Sequence, residues 1–273
     1  MAMVLLAALT LLILAALLGQ PYWRQWQRQR ILKQPFPKAW RQILKRRLPY
    51  FRTLPTDLQL RLKKLIQLFV AEKDFVGCAG LEMNDDIRVT IAAQACLLLL
   101  GRDQGIYPGL RQVLVYPAAF VVPNRQTDAA GVMHEGAGVL LGESWGQGQV
   151  ILSWQDSLHG AADPFDGHNV VIHEFAHQLD QQKGYANGAP ALGPDGSAKR
   201  WSQVFLQAFQ RLQQQLSHGQ ASVFDPYAAT NPAEFFAVAS EVFFEQPLAL
   251  QQQEPALYQQ MQLFYRLNPA LWQ

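Results

Sequence analysis

The stretch NVVIHEFAHQLDQ, Asn169 to Gln181, decides the fold and carries the pattern H-E-x-x-H as His173, Glu174 and His177. Read as a helix at about 100° per residue, it separates into two stripes. Val171, Ile172, Phe175, Ala176 and Leu179 gather on one side, and His173, Glu174, His177, Asp180 and Gln181 on the other. The apolar stripe would hold the helix in a core while the polar stripe lines a cleft. Histidines four residues apart lie one above the other, so both imidazoles can reach one metal ion. Glu174 falls between them, placed to take a proton from a metal-bound water. A helix with two satisfied or surface histidines is the plain alternative, and the agreement of the chemical and amphipathic patterns weighs against it.

A catalytic zinc site needs a third protein ligand and an open water position. No third histidine follows His177 at the spacing of H-E-x-x-H-x-x-G-x-x-H, so a carboxylate from another element is expected. Asp180, three residues after His177, suits a hydrogen bond that orients a ligand histidine; a solvated helix end is its equal alternative. The segment DPYAATNPAEFFAVASEVFFE, Asp225 to Glu245, is the best supplier of the ligand. Asn231 caps a helix there, Pro232 fits its first turn, and apolar residues follow at Phe235, Val238, Val242 and Phe243. Glu234 and Glu241 share one face. Glu234 also stands where a capping-box glutamate would, so periodicity leaves the two nearly tied.

HNVVIHEFAHQLD together with PYAATNPAEFFAVASEVFF resembles the zinc metallopeptidases related to Mlc titration factor A. More distantly the chain is similar to the catalytic domain of anthrax lethal factor. The resemblance runs from about Pro55 onward and implies a gluzincin-like domain holding one Zn²⁺. It makes Glu234, which opens the E-F-F-A segment, the third ligand beside His173 and His177. It leaves Glu241 as a residue that orients a ligand, or as a solvated carboxylate. It also turns Tyr227 toward the site, where its hydroxyl would serve the oxyanion of a tetrahedral intermediate. The resemblance further implies that some members bind a sugar-uptake repressor.

The chain has 273 residues, 49% hydrophobic and 16% charged, which suits a globular body plus an apolar segment. Its net charge of +2 conceals an asymmetry: ten basic residues lie between Arg24 and Arg52, and no acidic residue precedes Asp57. From Asp57 onward thirteen basic residues face twenty-one acidic ones, a balance of −8. An acidic main domain excludes a nucleic-acid-binding body. Cys78 and Cys96 have neither C-x-x-C nor zinc-finger spacing and read as reduced thiols.

Met1 to Leu18 is apolar apart from Thr10, and as a helix would be about 27 Å long. Tyr22, Trp23 and Trp26 follow it, then Arg24, Arg28, Arg30 and Lys33. A signal peptide should open with basic residues, and this segment does not. A transmembrane helix over residues 1–22 is therefore expected, with a basic juxtamembrane segment over 23–54 and the metallopeptidase domain over 55–273. The positive flank places that domain on the cytoplasmic side of the inner membrane, with Trp40 to Arg52 resting on anionic lipid or forming an ordinary solvated face.

Leu54 to Val70 and Ile87 to Leu100 have helical spacing, the second with Asp85 or Asp86 near its start. Arg111 to Val122, Gly138 to Leu141 and Val150 to Trp154 read as strands, the last two separated by the Gly-rich Gly142 to Gly148. The last strand is expected to enter the active-site helix through Ser157 to His168, and a strand so placed can offer its edge to an extended peptide. His134, His159, His168 and His218 read as solvated or capping residues. Lys183 to Lys199 reads as a loop over the cleft, and Trp201 to Leu216 as a helix.

The fold expected is α+β, mostly helical, with a small sheet next to the H-E-x-x-H helix. The function expected is hydrolysis of a peptide or protein substrate, with Glu174 as general base. The rival is a metal-containing protein that sequesters a transcriptional regulator, its peptidase activity weak or incidental. A zinc deaminase is disfavoured because its P-C-x-x-C companion is absent.

Overall fold

A computed structural model describes residues 1–103, 105–127, 133–140, 142–145, 148–193 and 196–272; the side chains of residues 5, 7–9, 11–17, 120–147 and 183 lie outside the description. Helix α1 (Ala2–Leu32) runs through Pro21 without ending, so Arg24, Arg28 and Arg30 belong to the same helix as the apolar run. Its C-terminal end docks on the body. Arg28 pairs with both carboxylate oxygens of Glu72 at 2.6 and 2.8 Å, and Ile31 and Leu32 pack against the core. Among the described residues no helix is long and apolar enough to cross a membrane. The anchor expected over residues 1–22, and the inner-membrane location inferred from it, find no support here; much of that run lies outside the described side chains.

The core begins before residue 55. Helix α2 (Lys38–Arg47) buries Ile43 and Leu44, and Leu48, Phe51 and Leu54 join the same cluster. Its basic face finds protein partners, a use that the charge pattern alone does not distinguish from lipid. Arg46 and Arg47 reach Asp86 at 2.7 and 2.5 Å, and the Trp40 indole N–H donates to Asp85 at 2.8 Å. Helix α3 (Thr56–Glu72) buries Leu62, Ile66 and Phe69, and strand β1 (Asp74–Gly77) follows it. Helix α4 (Asp85–Leu97), capped by the Asn84 side chain, is buried along nearly its whole length and packs against α3.

The apolar run after Arg111 divides. Strand β2 (Gln112–Tyr116) joins the main sheet, whereas β3 (Phe120–Thr127) pairs antiparallel with β4 (Met133–Leu140) in a separate hairpin. The Gly-rich separator contains a strand of its own, β5 (Gly142–Trp145), antiparallel to β6 (Gln149–Ser153). The main sheet has the order β1-β2-β6-β5, with β1, β2 and β6 parallel. Strand β6 is therefore internal and has no free edge; among the described residues β5 ends the sheet on that side. Nor does β6 enter the H-E-x-x-H helix directly. Ser153 caps helix α5 (Trp154–Ala162), and only after it comes α6 (Val170–Asp180), which carries the motif.

Helices α7 (Ala198–Ser217), α8 (Pro232–Glu245), α9 (Pro247–Gln253) and α10 (Pro255–Tyr265) complete an α+β, mostly helical fold. The apolar stripe of α6 does what its spacing requires: Val171, Ile172, Phe175, Ala176 and Leu179 are each at most 1% exposed. Phe175 meets Phe69 and Tyr107 at ring distances of 5.6 and 4.8 Å. Cys78 and Cys96 are free thiols, half-buried and buried respectively.

Candidate metal centre

Helix α6 starts at Asn169, whose side-chain oxygen accepts from the Ile172 N–H at 3.0 Å. The Asn169 amide nitrogen donates to Gly160 O at 3.0 Å and to Glu245 Oε1 at 2.9 Å. Its backbone N–H donates to Glu241 Oε2 at 2.5 Å. The approach to Gly160 is close: a Cβ there would lie 2.9 Å from Asn169 Cγ.

Helix α8 lies against α6 and starts in a comparable way. Asn231 Oδ1 accepts from the Ala233 and Glu234 N–H groups at 2.9 and 3.1 Å, with Pro232 at the first helical position. The Glu234 carboxylate points to the histidines: Oε2 is 3.0 Å from His173 Nε2 and 3.4 Å from His177 Nε2. About two turns further on, Glu241 Oε1 accepts from His173 Nδ1 at 2.8 Å.

The structure thus brings His173, His177 and Glu234 together, with one ligand atom from each lying within 4.8 Å of the others. Two imidazole nitrogens and one carboxylate oxygen are a donor set that fits a divalent metal with one open position. The electrostatics agree. Burial opposes a charged His173, but hydrogen bonds to Glu234 and Glu241 outweigh it and hold its pKa well above the ordinary value. Burial likewise opposes a charged Glu234, yet the two histidines hold its carboxyl far below the usual range. A metal ion at the His173 Nε2 position would replace a proton already stabilised there, while Nδ1–H stays on Glu241.

Glu174 is buried, 4% exposed, on the same helix between the two histidines. Tyr227 stands on the solvent side, 55% exposed, its ring 6.1 Å from that of His173. Its pKa is raised by partial burial first and then by Glu234 and Glu174, so it keeps its proton at neutral pH. Glu241 is buried rather than solvated.

Asp180 is buried as well, but no hydrogen bond joins it to a histidine among the described residues. Its Oδ2 accepts from the Asn187 and Gly188 N–H groups, both at 2.7 Å. Asp180 therefore fixes the loop after α6. Gly188, at φ +76°, sits so near Pro232 that a Cβ would meet its carbonyl oxygen at 2.4 Å, and Gly188 O accepts from the Trp201 indole at 2.9 Å. That loop, read from sequence as a cover, is pinned between α6, α7 and α8 at Asn187–Gly188. His159 and His168 do not join the ligand group, His218 turns back on Gln214 O at 2.7 Å, and the side chain of His134 lies outside the description.

Two residues of this arrangement went unread in the sequence. Asn169 was legible as an N-cap, standing directly before the periodic run. Glu245, four residues after Glu241 on the same helical face, gave no signal beyond that spacing.

Residues 23–266 match the glucose-regulated metallo-peptidase M90 family. The uncharacterized protein slr2042 of Synechocystis sp. is 41% identical over 260 residues, covering 95% of this chain and 94% of that protein. Mlc titration factor A of Escherichia fergusonii is 36% identical over 251 residues, covering 90% and 92%. The protein of the same name from Salmonella agona is 37% identical over 228 residues, covering 82% and 84%. On both measures the chain belongs to the glucose-regulated metallo-peptidase M90 family.

Proposed function

We propose that this chain is a zinc peptidase in which His173, His177 and Glu234 hold the ion. The convergence of these three donors beside the buried Glu174 carries the proposal. Bound zinc would supply Lewis acidity, lowering the pKa of a water and polarising the scissile carbonyl. Glu174 is the general base that takes the proton from that water and delivers it to the leaving amine. Tyr227, neutral and half-open to solvent, donates a hydrogen bond to the developing oxyanion. Glu241 holds His173 in the tautomer that leaves Nε2 for the metal. Strand β5 ends the sheet beside α6, so an extended peptide or protein segment can add to it as a further strand.

The test is metal content and hydrolysis on the full chain. Wild type is expected to hold one zinc per chain, and Glu234→Ala to lose it. Glu174→Gln should keep the zinc and lose at least about 100-fold in peptide hydrolysis, the lower end of what a positioned base supplies. Zinc bound equally by Glu234→Ala, or full hydrolysis by Glu174→Gln, would remove the reading.

A second reading is favoured by the name Mlc titration factor A of the relatives, which speaks of titrating a partner. On it the domain binds a transcriptional regulator and hydrolysis is incidental. Glu174→Gln separates the two, because a titrating protein keeps its biological effect without the base.

A further inference from the structure

Between the second half of α1 and the starts of β1 and β2 lies a groove of about 970 Å³. That is near the upper end of the roughly 300–1,000 Å³ of small-molecule sites. Arg24, Arg28 and Arg30 line it from α1, and Lys73 and Arg111 line it from the body. Its carboxylates are those of Glu72 and Asp74, and Arg28 engages both oxygens of Glu72. Setting that pair aside leaves Arg24, Arg30, Lys73 and Arg111 against Asp74 alone, four charges against one and a surplus of three. Among the described residues none of these four cations has an ion-pair partner.

Lys73 is the unusual member, because it is only 8% exposed. A lysine so buried is ordinarily paired with an acid. Its ammonium donates instead to two neutral acceptors, the carbonyls of Tyr107 and Leu110, at 2.8 Å each. An ammonium has three N–H groups, so one is left over. Burial lowers its pKa to about 8, and it is still protonated at neutral pH.

The sheet sets Arg111 beside it. Asp74 pairs with Gln112 in parallel register, so Lys73 and Arg111 stand side by side at the starts of strands about 4.8 Å apart. On the α1 wall Trp23 and Trp26 flank Arg24 in sequence, their rings stacked at 5.1 Å and each more than half exposed. A lysine and an arginine side by side suit a group that concentrates two negative charges, and a guanidinium meets phosphate oxygens through two N–H groups at once. The indoles offer flat faces to a flat body.

We infer that this groove binds small phosphate monoesters with an aromatic body, the phosphate seated among Lys73, Arg111 and Arg24 and the ring against Trp23 and Trp26. The groove shares no residue with the metal centre and stands whether or not the chain hydrolyses peptides.

Isothermal titration of the full chain with phenyl phosphate, inorganic phosphate and benzyl alcohol tests the inference. Phenyl phosphate is expected to bind saturably and more tightly than either of the others. Arg111→Glu on the body and Arg24→Glu on α1 should each weaken it at least about 10-fold, and Lys64→Glu, the same charge change outside the groove, should not. Trp23→Ala should weaken phenyl phosphate about 2- to 10-fold and leave inorganic phosphate unchanged. A melting curve matching wild type shows that each variant is folded. Absence of saturable phenyl phosphate binding to wild type overturns the site, as does a loss in Lys64→Glu equal to that in Arg111→Glu. Inorganic phosphate bound as tightly as phenyl phosphate overturns the aromatic body. Phosphatidic acid carries the same head group, so co-sedimentation with phosphatidylcholine vesicles with and without it separates the sources. A preference for phosphatidic acid that Arg111→Glu abolishes, with no binding of phenyl phosphate, would overturn the soluble ligand in favour of a lipid.

Discussion

The two ends of α6 are built differently. At its start, Asn169 is tied by four hydrogen bonds to α5, α6 and α8, two of them to Glu241 and Glu245. At its end, Asp180 holds two backbone N–H groups of the following loop through a single oxygen. The difference passes to the two histidines. His173 has its Nδ1 fixed by Glu241, whereas His177 Nδ1 is buried without a hydrogen-bond partner among the described residues. One imidazole is aimed through its Nδ1 by a carboxylate; the other meets a carboxylate at Nε2, where Glu234 stands 3.4 Å away. The start of the helix aims the candidate metal donor His173, and the end anchors a loop.

The largest expected effect comes from the start of the helix through Glu245. Its folded pKa of about 9 lies above the ordinary carboxyl value of 4.5. The folded chain therefore keeps a proton that the unfolded chain releases between those pH values. The stability this group contributes is full below pH 4.5 and is lost as pH rises toward 9. Glu245→Gln cannot titrate but can still accept from Asn169. Relative to it, wild type should lose about 1.4 kcal/mol per pH unit, or about 3 kcal/mol from pH 6 to 8, in urea unfolding. Parallel stability curves for the two proteins would show that the start of α6 is not held by a neutral acid.

Glu241→Gln comes next. Removing the charge behind His173 should weaken zinc about 10- to 100-fold in competition with a chelator, with the fold retained. Asp180→Ala gives the smallest effect at the metal, less than about 3-fold on zinc affinity, because it touches no ligand. It should still lower stability by about 2 kcal/mol by stranding two N–H groups. A larger zinc loss in Asp180→Ala than in Glu241→Gln would reverse the comparison between the two ends.

What the sequence revealed follows the same division. The α6 stripe, the start of α8 at Asn231 and Pro232, and α3 and α4 were all legible, because each rests on short-range periodicity and capping. Glu234 and Glu241 were not separable by spacing, since seven residues put both on one face; only the arrangement of α8 across α6 shows which oxygen meets Nε2 and which meets Nδ1. Asp180 was assigned toward a histidine because it stands on the polar stripe, but the loop that claims it returns through Gly188, a tertiary event. The basic run before Asp57 left anionic lipid and a solvated face equally open, because its carboxylate partners, Glu72 and Asp86, lie about forty residues away in sequence. The strand hidden in Gly142–Gly148 escaped because glycine suggests a break, and pairing with β6 supplied what propensity lacked.

Gly160 extends these constraints beyond the candidate metal donors. It has no side chain to offer chemistry and sits in α5, yet the space its missing Cβ leaves is filled by Asn169. Under the proposed function, a selection for inactive alleles would therefore return changes at position 160 together with changes at His173, His177 and Glu234. Their signature would be a shifted start of α6 and weakened metal retention, in a polypeptide whose every chemically active group is intact. A glycine that a reading of reactive residues would pass over thus belongs to the heritable specification of the site.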